Sequence, residues 1–296
     1  MGSWSSVVRK TLMLDPDKDV VLDFVKRVTD GRGSIIVSSV GLFRSIGRYF
    51  AQSMNSLSDM SVFYVEPYEL TYYVAPYDEG RELDVLLFST PEGLNDLYVL
   101  LDQLVLTGHR VSLISEPLPE ILKRKYEGVD RVEIELGEMG LLKLLSILTY
   151  VTSSLSRRDL RRRADKIKEE CLSLAEVADE FIERYEREIK TVREALSEFY
   201  VVTYTPTLEP AAEMFSLGLS DGRALMADIS TVYFYVGRVS SKILAFTTDV
   251  EVYTYRYYFN RVVEKGGRVE EVRLKTDPLT APLYALMLLY YVSRGT

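Results

Sequence analysis

The chain has 296 residues, 47% of them hydrophobic and 27% charged, with a formal net charge of −8. That length suits two α/β lobes of ordinary size, and the balance describes a soluble globular protein rather than a disordered one. A net negative surface argues against general nucleic-acid binding but leaves small anionic ligands open, because a site is local and net charge is not.

Residues 1–30 read as a leading helix, with apolar positions at Val20, Val21, Phe24, Val25 and Val28. Strands and helices then alternate: strand 34–38, helix 42–54, strands 61–65 and 84–88, helix 94–106, strand 110–114, helix 117–126 and strand 130–134. This rhythm predicts a mostly parallel sheet covered on both faces. Turns at Glu66-Pro67 and Ala75-Pro76 separate the pieces, and an apolar helix follows from Leu141 to Leu155. The segment Arg157–Phe199 lacks Pro and Gly, and its apolar residues recur in steps of three and four, so it reads as helix with one buried face. Ser173-Leu-Ala-Glu176 fits a capping box, which makes two helices as good a reading as one. Its opening cluster, Arg157, Arg158, Arg161, Arg162 and Arg163, reads as a solvated face, with a phosphate or RNA contact as the alternative.

After residue 199 the α/β rhythm restarts. Strand 200–204 is followed by the turn Thr205-Pro-Thr207, a helix from Leu208, strands 232–236 and 242–246, helix 251–265, strand 269–274 and a closing helix 282–293. The expected organisation is an α/β fold of two tandem doubly wound lobes, 1–155 and 200–296, joined by charged helices over 156–199.

Two strand–turn–helix units in the first half carry the chemistry. Ser34-Ile-Ile-Val37 runs into Ser38-Ser39-Val40-Gly41, and Asp84-Val-Leu-Leu-Phe88 runs into Ser89-Thr90-Pro91-Glu92-Gly93, each before a helix. Such turns gather backbone N–H groups, hydroxyls and a positive helix end around one spot, which suits a phosphate. The same hydroxyls also serve as ordinary turn and capping residues. Cys171 and His109 are the only cysteine and histidine, so an internal disulfide and multi-Cys or His-rich metal sites are excluded. No apolar stretch reaches membrane-spanning length, and the start of the chain shows no signal pattern, so a cytoplasmic, non-membrane protein is expected. Asn and Gln are confined to Gln52, Asn55, Asn95, Gln103 and Asn260, a composition expected of a thermophile.

The order of these elements resembles the sugar isomerase (SIS) family, present as two lobes over about residues 30–296. Ile35–Gly41 resembles the family's strand and Gly-x-Gly-Ser-Ser-like loop, and Ser89–Asp96 its Ser-x-Ser-Gly-Glu/Asn-Thr loop. Glu69–Tyr73 and Leu106–Val111 resemble the intervening steps. In the second half, Leu208-Glu209-Pro-Ala-Ala-Glu213 resembles the Leu-Glu-x-Ala-x-Lys helix of the glucosamine-6-phosphate synthase isomerase domain. Glu264–Val269 and Leu279–Val292 resemble its helix–Gly-Gly–strand step and closing helix. The resemblance implies a phosphorylated sugar or sugar derivative as ligand, no cofactor and no metal, a homodimer, and phosphosugar aldose–ketose isomerase activity of the phosphoglucose/phosphomannose type. It implies ligand contacts from Ser38, Ser39, Gly41, Ser89, Thr90, Glu92, Thr205 and Thr207, with Glu209 or Glu213 as the base. The two glutamates are four apart and share a helix face, although Glu in a first helical turn is also favoured by the dipole alone.

The chain departs from the family pattern. Pro91 and Leu94 stand where Ser and Thr are usual, Gly41 stands where a loop Ser is common, and Pro91 removes a backbone donor. The family's second-lobe His is missing, and the chain stops at Arg294-Gly-Thr296, where a catalytic Lys tail would begin. His109 lies elsewhere and reads as an exposed turn residue. General acid–base groups give about 10²–10⁴-fold each, so these losses set a catalytically inactive ligand-binding or regulatory SIS protein beside the isomerase.

Overall fold

In the computed structural model, residues 4–41, 44–78 and 82–294 are described. They form two compact units, Met13–Glu169 and Met1–Leu12 with Glu170–Thr296. Each unit has its own parallel sheet.

The expected leading helix is two helices, α1 (Trp4–Thr11) and α2 (Asp17–Thr29). Pro16 separates them, because a proline is tolerated at a helix start but not in its interior. Only α2 belongs with the residues that follow it. In the unit it joins, α1 buries Val8, sets Trp4 edge-on to Tyr291 at 5.3 Å and pairs Arg9 with Asp179.

The first sheet holds β1 (Ser34–Val40), β2 (Ser61–Tyr64), β3 (Asp84–Ser89), β4 (Arg110–Ser115) and β5 (Asp130–Glu133) in the order β2-β1-β3-β4-β5. All its pairings are parallel, with Ile36 opposite Val85 and Leu86 opposite Ser112. The crossovers carry α3 (Ser45–Leu57), α4 (Pro67–Glu69), α5 (Leu94–Leu106) and α6 (Glu120–Lys125). The start expected for α3, Leu42, lies outside the described residues. Residues 70–77, read as a turn region, continue α4 as a π turn and a 3-10 turn. Leu70 and Ala75 drive that continuation by reaching the core beneath α5 with Leu97, Leu100 and Leu101. On the other face α7 (Gly140–Ser154) packs on α2 and α3 and buries Leu142, Leu145, Ile147 and Leu148.

Three helices follow: α8 (Arg161–Ser173), α9 (Phe181–Arg184) and α10 (Glu186–Ala195). Ser173 ends α8 instead of capping a helix, because its hydroxyl donates back to the Glu170 carbonyl at 3.1 Å. The second sheet holds β6 (Tyr200–Tyr204), β7 (Ala224–Met226), β8 (Lys242–Thr248) and β9 (Arg268–Leu274) in the order β7-β6-β8-β9, all parallel. Its helices are α11 (Glu209–Glu213), α12 (Val252–Glu264) and α13 (Ala281–Arg294).

Two expectations fail here. Val232–Val236 is not a strand but begins with a 3-10 turn, Val232–Phe234. Val232 and Val236 both point into the core with Ile243 and Val262, a four-residue spacing that a turn satisfies and a strand also would. The strand beside β6 is instead β7, three residues long and unmarked by any apolar alternation. Among the described residues no helix is long and apolar enough to cross a membrane.

Cys171 is fully buried on α8, and burial, aided by the neighbouring Glu170 charge, pushes its thiol up to about 12. A raised pKa means the folded state holds the neutral thiol. Its contribution to stability is therefore complete below the unfolded value of about 8.5 and is lost as pH climbs toward the folded value. Urea midpoints of the wild type and Cys171→Ala should accordingly converge as pH rises above about 8.5. The thiol should resist alkylation until the chain unfolds.

Candidate functional site

In an open parallel sheet, ligands bind outside the carboxyl ends of the strands where the strand order reverses. That point lies between β1 and β3 in the first sheet and between β6 and β8 in the second. The candidate residues fall at these two places: Ser38, Ser39 and Gly41 with Ser89, Thr90 and Glu92 at the first, and Thr205, Thr207, Glu209 and Glu213 at the second.

At the first point the two turns are pressed together. The Thr90 N–H donates to the Val40 carbonyl at 3.2 Å. A Cβ on Gly41, which sits at φ +111°, would lie 2.0 Å from Thr90 Oγ1, and one on Gly93 would lie 2.5 Å from the Gly41 nitrogen. Both glycines are needed for this approach. Its consequence is that Thr90 fills the notch between the strands. A separate cavity of about 20 Å³, between the ends of β3 and β4 and lined by Ser89, Thr90 and Ser115–Leu118, has room for about one water.

The hydroxyls there are also committed to structure. Ser39 Oγ accepts from the Gly47 N–H at 2.8 Å and donates to the Arg44 carbonyl at 3.0 Å, tying β1 to the first turn of α3. Ser89 Oγ donates to the Thr90 carbonyl at 3.3 Å. Ser38 Oγ is buried with no hydrogen-bond partner among the described residues, and Glu92 is exposed on the Pro91–Gly93 turn. Of the expected hydroxyls at this first point, only Ser38 Oγ is buried without a hydrogen-bond partner among the described residues.

What sequence reading missed is a pair of arginines. Arg44 and Arg48 stand at the amino end of α3, four residues apart and on one side of the helix. Glu66 beyond β2 pairs with Arg48 and lies 3.9 Å from Arg44. Arg48 also lies over the Tyr64 ring at 5.1 Å, and Tyr64 Oη donates to Glu66 Oε2 at 3.3 Å. The signal was present, because a helix dipole disfavours cations at an amino end and two arginines there oppose it. Two cations beside a positive helix end repel one another and attract an anion.

The second point is polar in a different way. Glu209 and Glu213 are both more than nine-tenths buried. Tyr204 Oη donates to Glu209 Oε1 at 3.4 Å. Thr203, Thr205, Thr207 and Ser216 each have a buried hydroxyl with no hydrogen-bond partner among the described residues. Thr203 and Thr205 alternate along one side of β6, and Ser216 follows Glu213 by three on the π turn Met214–Leu219. Thr203 and Ser216 were readable from those same spacings. Buried polar groups are nearly always satisfied, so four orphaned hydroxyls beside two buried carboxylates mark a place for water or for a hydroxyl-rich ligand.

His109 belongs to neither point and is not an exposed turn residue. It is buried, accepting the Leu83 N–H at Nδ1 (3.4 Å) and meeting the Ala75 carbonyl at Nε2 (3.2 Å). It fastens the α4 extension to the start of β3. Among the described residues no cluster of His, Cys, Asp or Glu could hold a metal ion.

No family model and no curated protein matches the chain. Solved structures do. The C-terminal domain of glucosamine-fructose-6-phosphate aminotransferase from Francisella tularensis matches at 15% identity and TM-score 0.67, covering 97% of this chain and 92% of that one. Glucosamine-6-phosphate deaminase from Thermotoga maritima matches at 15% and 0.59, covering 97% and 95%. Tagatose-6-phosphate ketose/aldose isomerase from Escherichia coli matches at 14% and 0.57, covering 99% and 94%. At such identities the likeness establishes the fold, an α/β fold with helix-flanked parallel sheets like that of sugar isomerases.

Replacing Gly93 by alanine should force the two turns apart, at a cost of about 1–3 kcal/mol, read as a lower urea midpoint. His109→Phe should cost about 1–3 kcal/mol by orphaning the Leu83 N–H. It should leave ligand binding unchanged, as titration calorimetry of the variant would check.

Proposed function

We propose that this chain is a SIS-family protein of two tandem lobes that binds a phosphorylated sugar derivative, assembles as a homodimer, and binds without rapid turnover. The observation that carries the anionic part of the ligand is the Arg44–Arg48 pair at the amino end of α3, beside the first strand-order reversal. Arginine offers a planar fork of donors suited to phosphoryl oxygens. In this reading the arginines and the Ser38 hydroxyl take the role that the hydroxyl loop has in the family, and Glu66 shares them until the ligand arrives. Within the second unit, taken by itself, the orphaned hydroxyls of Thr203, Thr205, Thr207 and Ser216 would suit a polyol. The names of the structural neighbours, which concern sugar phosphates, are consistent with this ligand class.

One observation favours a second reading, aldose–ketose isomerisation. Glu209 and Glu213 are buried carboxylates at a strand-order reversal, where a base for proton transfer between C1 and C2 would stand. Against it, His109 is locked into the fold at another place. A base without a ring-opening partner forgoes about 10²–10⁴-fold in rate.

Fructose 6-phosphate separates the readings. It should raise the melting temperature, Arg44→Gln/Arg48→Gln should abolish most of that shift, and no aldose product should accumulate. Product formation that disappears in Glu209→Gln or Glu213→Gln would establish the isomerase instead. Fructose alone is the control for the phosphate: if both sugars give equal shifts, the arginines are not the phosphate site. If neither shifts the melt, the sugar-binding reading fails.

A further inference from the structure

The opposite, amino edge of the first sheet carries two cavities that meet at Arg32. One, of about 500 Å³, is rimmed by Arg27, Arg32, Arg110 and Lys125. Every one of those cations already has a carboxylate: Asp130, Asp84, Glu82 and Asp102 respectively. It offers a ligand no uncompensated charge.

The other cavity, of about 690 Å³, is built differently. It lies where α2, α3 and α7 end and β1 and β2 begin. Met54 and Leu155 form apolar lining, and Met60 adds a flexible thioether. Of its charged residues, Arg32 pairs with Asp84 at 2.7 Å and Arg157 with Asp159 at 3.1 Å. Arg158 and Asp59 also line it, and neither has an ion-pair partner among the described residues. Both are exposed. The cavity thus presents one uncommitted guanidinium, one uncommitted carboxylate and apolar surface, within the size range of small-molecule sites.

Backbone contacts anchor the two segments that carry these residues. Arg157 donates its N–H to the Leu57 carbonyl at 2.8 Å, which holds the chain after α7 against the end of α3. Ser58 Oγ donates to the Met54 carbonyl and accepts the Met60 N–H, at 2.8 and 3.2 Å, which fixes the turn that bears Asp59. Arg158 and Asp59 are therefore each next to a residue anchored on the carboxyl end of α3.

From this arrangement we infer that the cavity is a binding site for a small zwitterion, a molecule carrying an anionic group for Arg158 and an ammonium for Asp59, with its carbon skeleton on Met54 and Leu155. An α-amino acid is the simplest such molecule, and an amino-sugar phosphate is the other source of the same chemistry. A carboxylate or a phosphoryl group takes the guanidinium fork two-pronged, and an ammonium donates to a carboxylate. The site is on the amino edge of the first sheet, opposite that sheet's strand-order reversal, and shares no residue with the sugar-phosphate reading.

Titration calorimetry on the full chain tests it, with L-leucine and glucosamine 6-phosphate as the two probes. 4-Methylpentanoate and glucose 6-phosphate serve as the matching compounds without the ammonium. At least one zwitterion should bind, and its counterpart should bind tenfold or more weakly. Arg158→Ala and Asp59→Asn should each weaken binding tenfold or more, while Arg158→Lys keeps part of it. Both side chains are exposed, and unchanged melting temperatures would show that the variants fold. Thr205→Val, at the second reversal, should leave L-leucine binding intact. The inference is overturned if neither zwitterion binds, if the singly charged counterparts bind equally well, or if Arg158→Ala has no effect. Glucosamine 6-phosphate binding that is lost in Thr205→Val but kept in Arg158→Ala would also overturn it, while supporting the sugar-phosphate reading.

Discussion

The contact between the β1 and β3 turns governs the first sheet's carboxyl edge. Two parallel strands at a strand-order reversal send their chains to opposite faces and leave a notch between them. Here the notch is filled by Thr90, which fits only because Gly41 and Gly93 have no side chains. The same contact fixes how β3 enters α5. Ser39 then serves the fold, joining β1 to α3 through two hydrogen bonds. In the proposed function the anion is taken instead by the arginines at the amino end of α3.

The second sheet repeats the strand order but not this solution. Its reversal keeps two buried carboxylates and a row of hydroxyls without partners among the described residues. Leaving such groups unsatisfied costs about 1–3 kcal/mol each, so water or a ligand must meet them.

Much of the fold was legible because parallel strands buried on both faces are written as continuous apolar runs, such as Ile35–Val37, Val85–Phe88 and Ile243–Phe246. The resemblance to sugar isomerases rested on the order of such runs and held at the level of the fold. Elements with little apolar content were not legible. β7 has three residues and takes its place from pairing with β6, not from its own pattern. The helical path over 67–77 was hidden by two prolines that read as turns but sit at the starts of short helical pieces. The segment Val232–Val236 was misread because apolar spacing over five residues fits a turn as well as a strand.

The sequence by itself determined that there are parallel sheets with helical crossovers, that metal and disulfide chemistry built on several cysteines or histidines is absent, and that hydroxyl-bearing turns follow the first and third strands. These follow from local pattern and from residue counts, which no packing can alter. Only the tertiary structure decided what those turns do. How closely the turns after β1 and β3 approach depends on two backbones fifty residues apart in the chain. Whether His109 is exposed depends on which carbonyl lies across from it. Whether Arg158 and Asp59 border one cavity depends on where α7 ends relative to β2. Each of these is set by how distant segments pack, and none by the residues themselves.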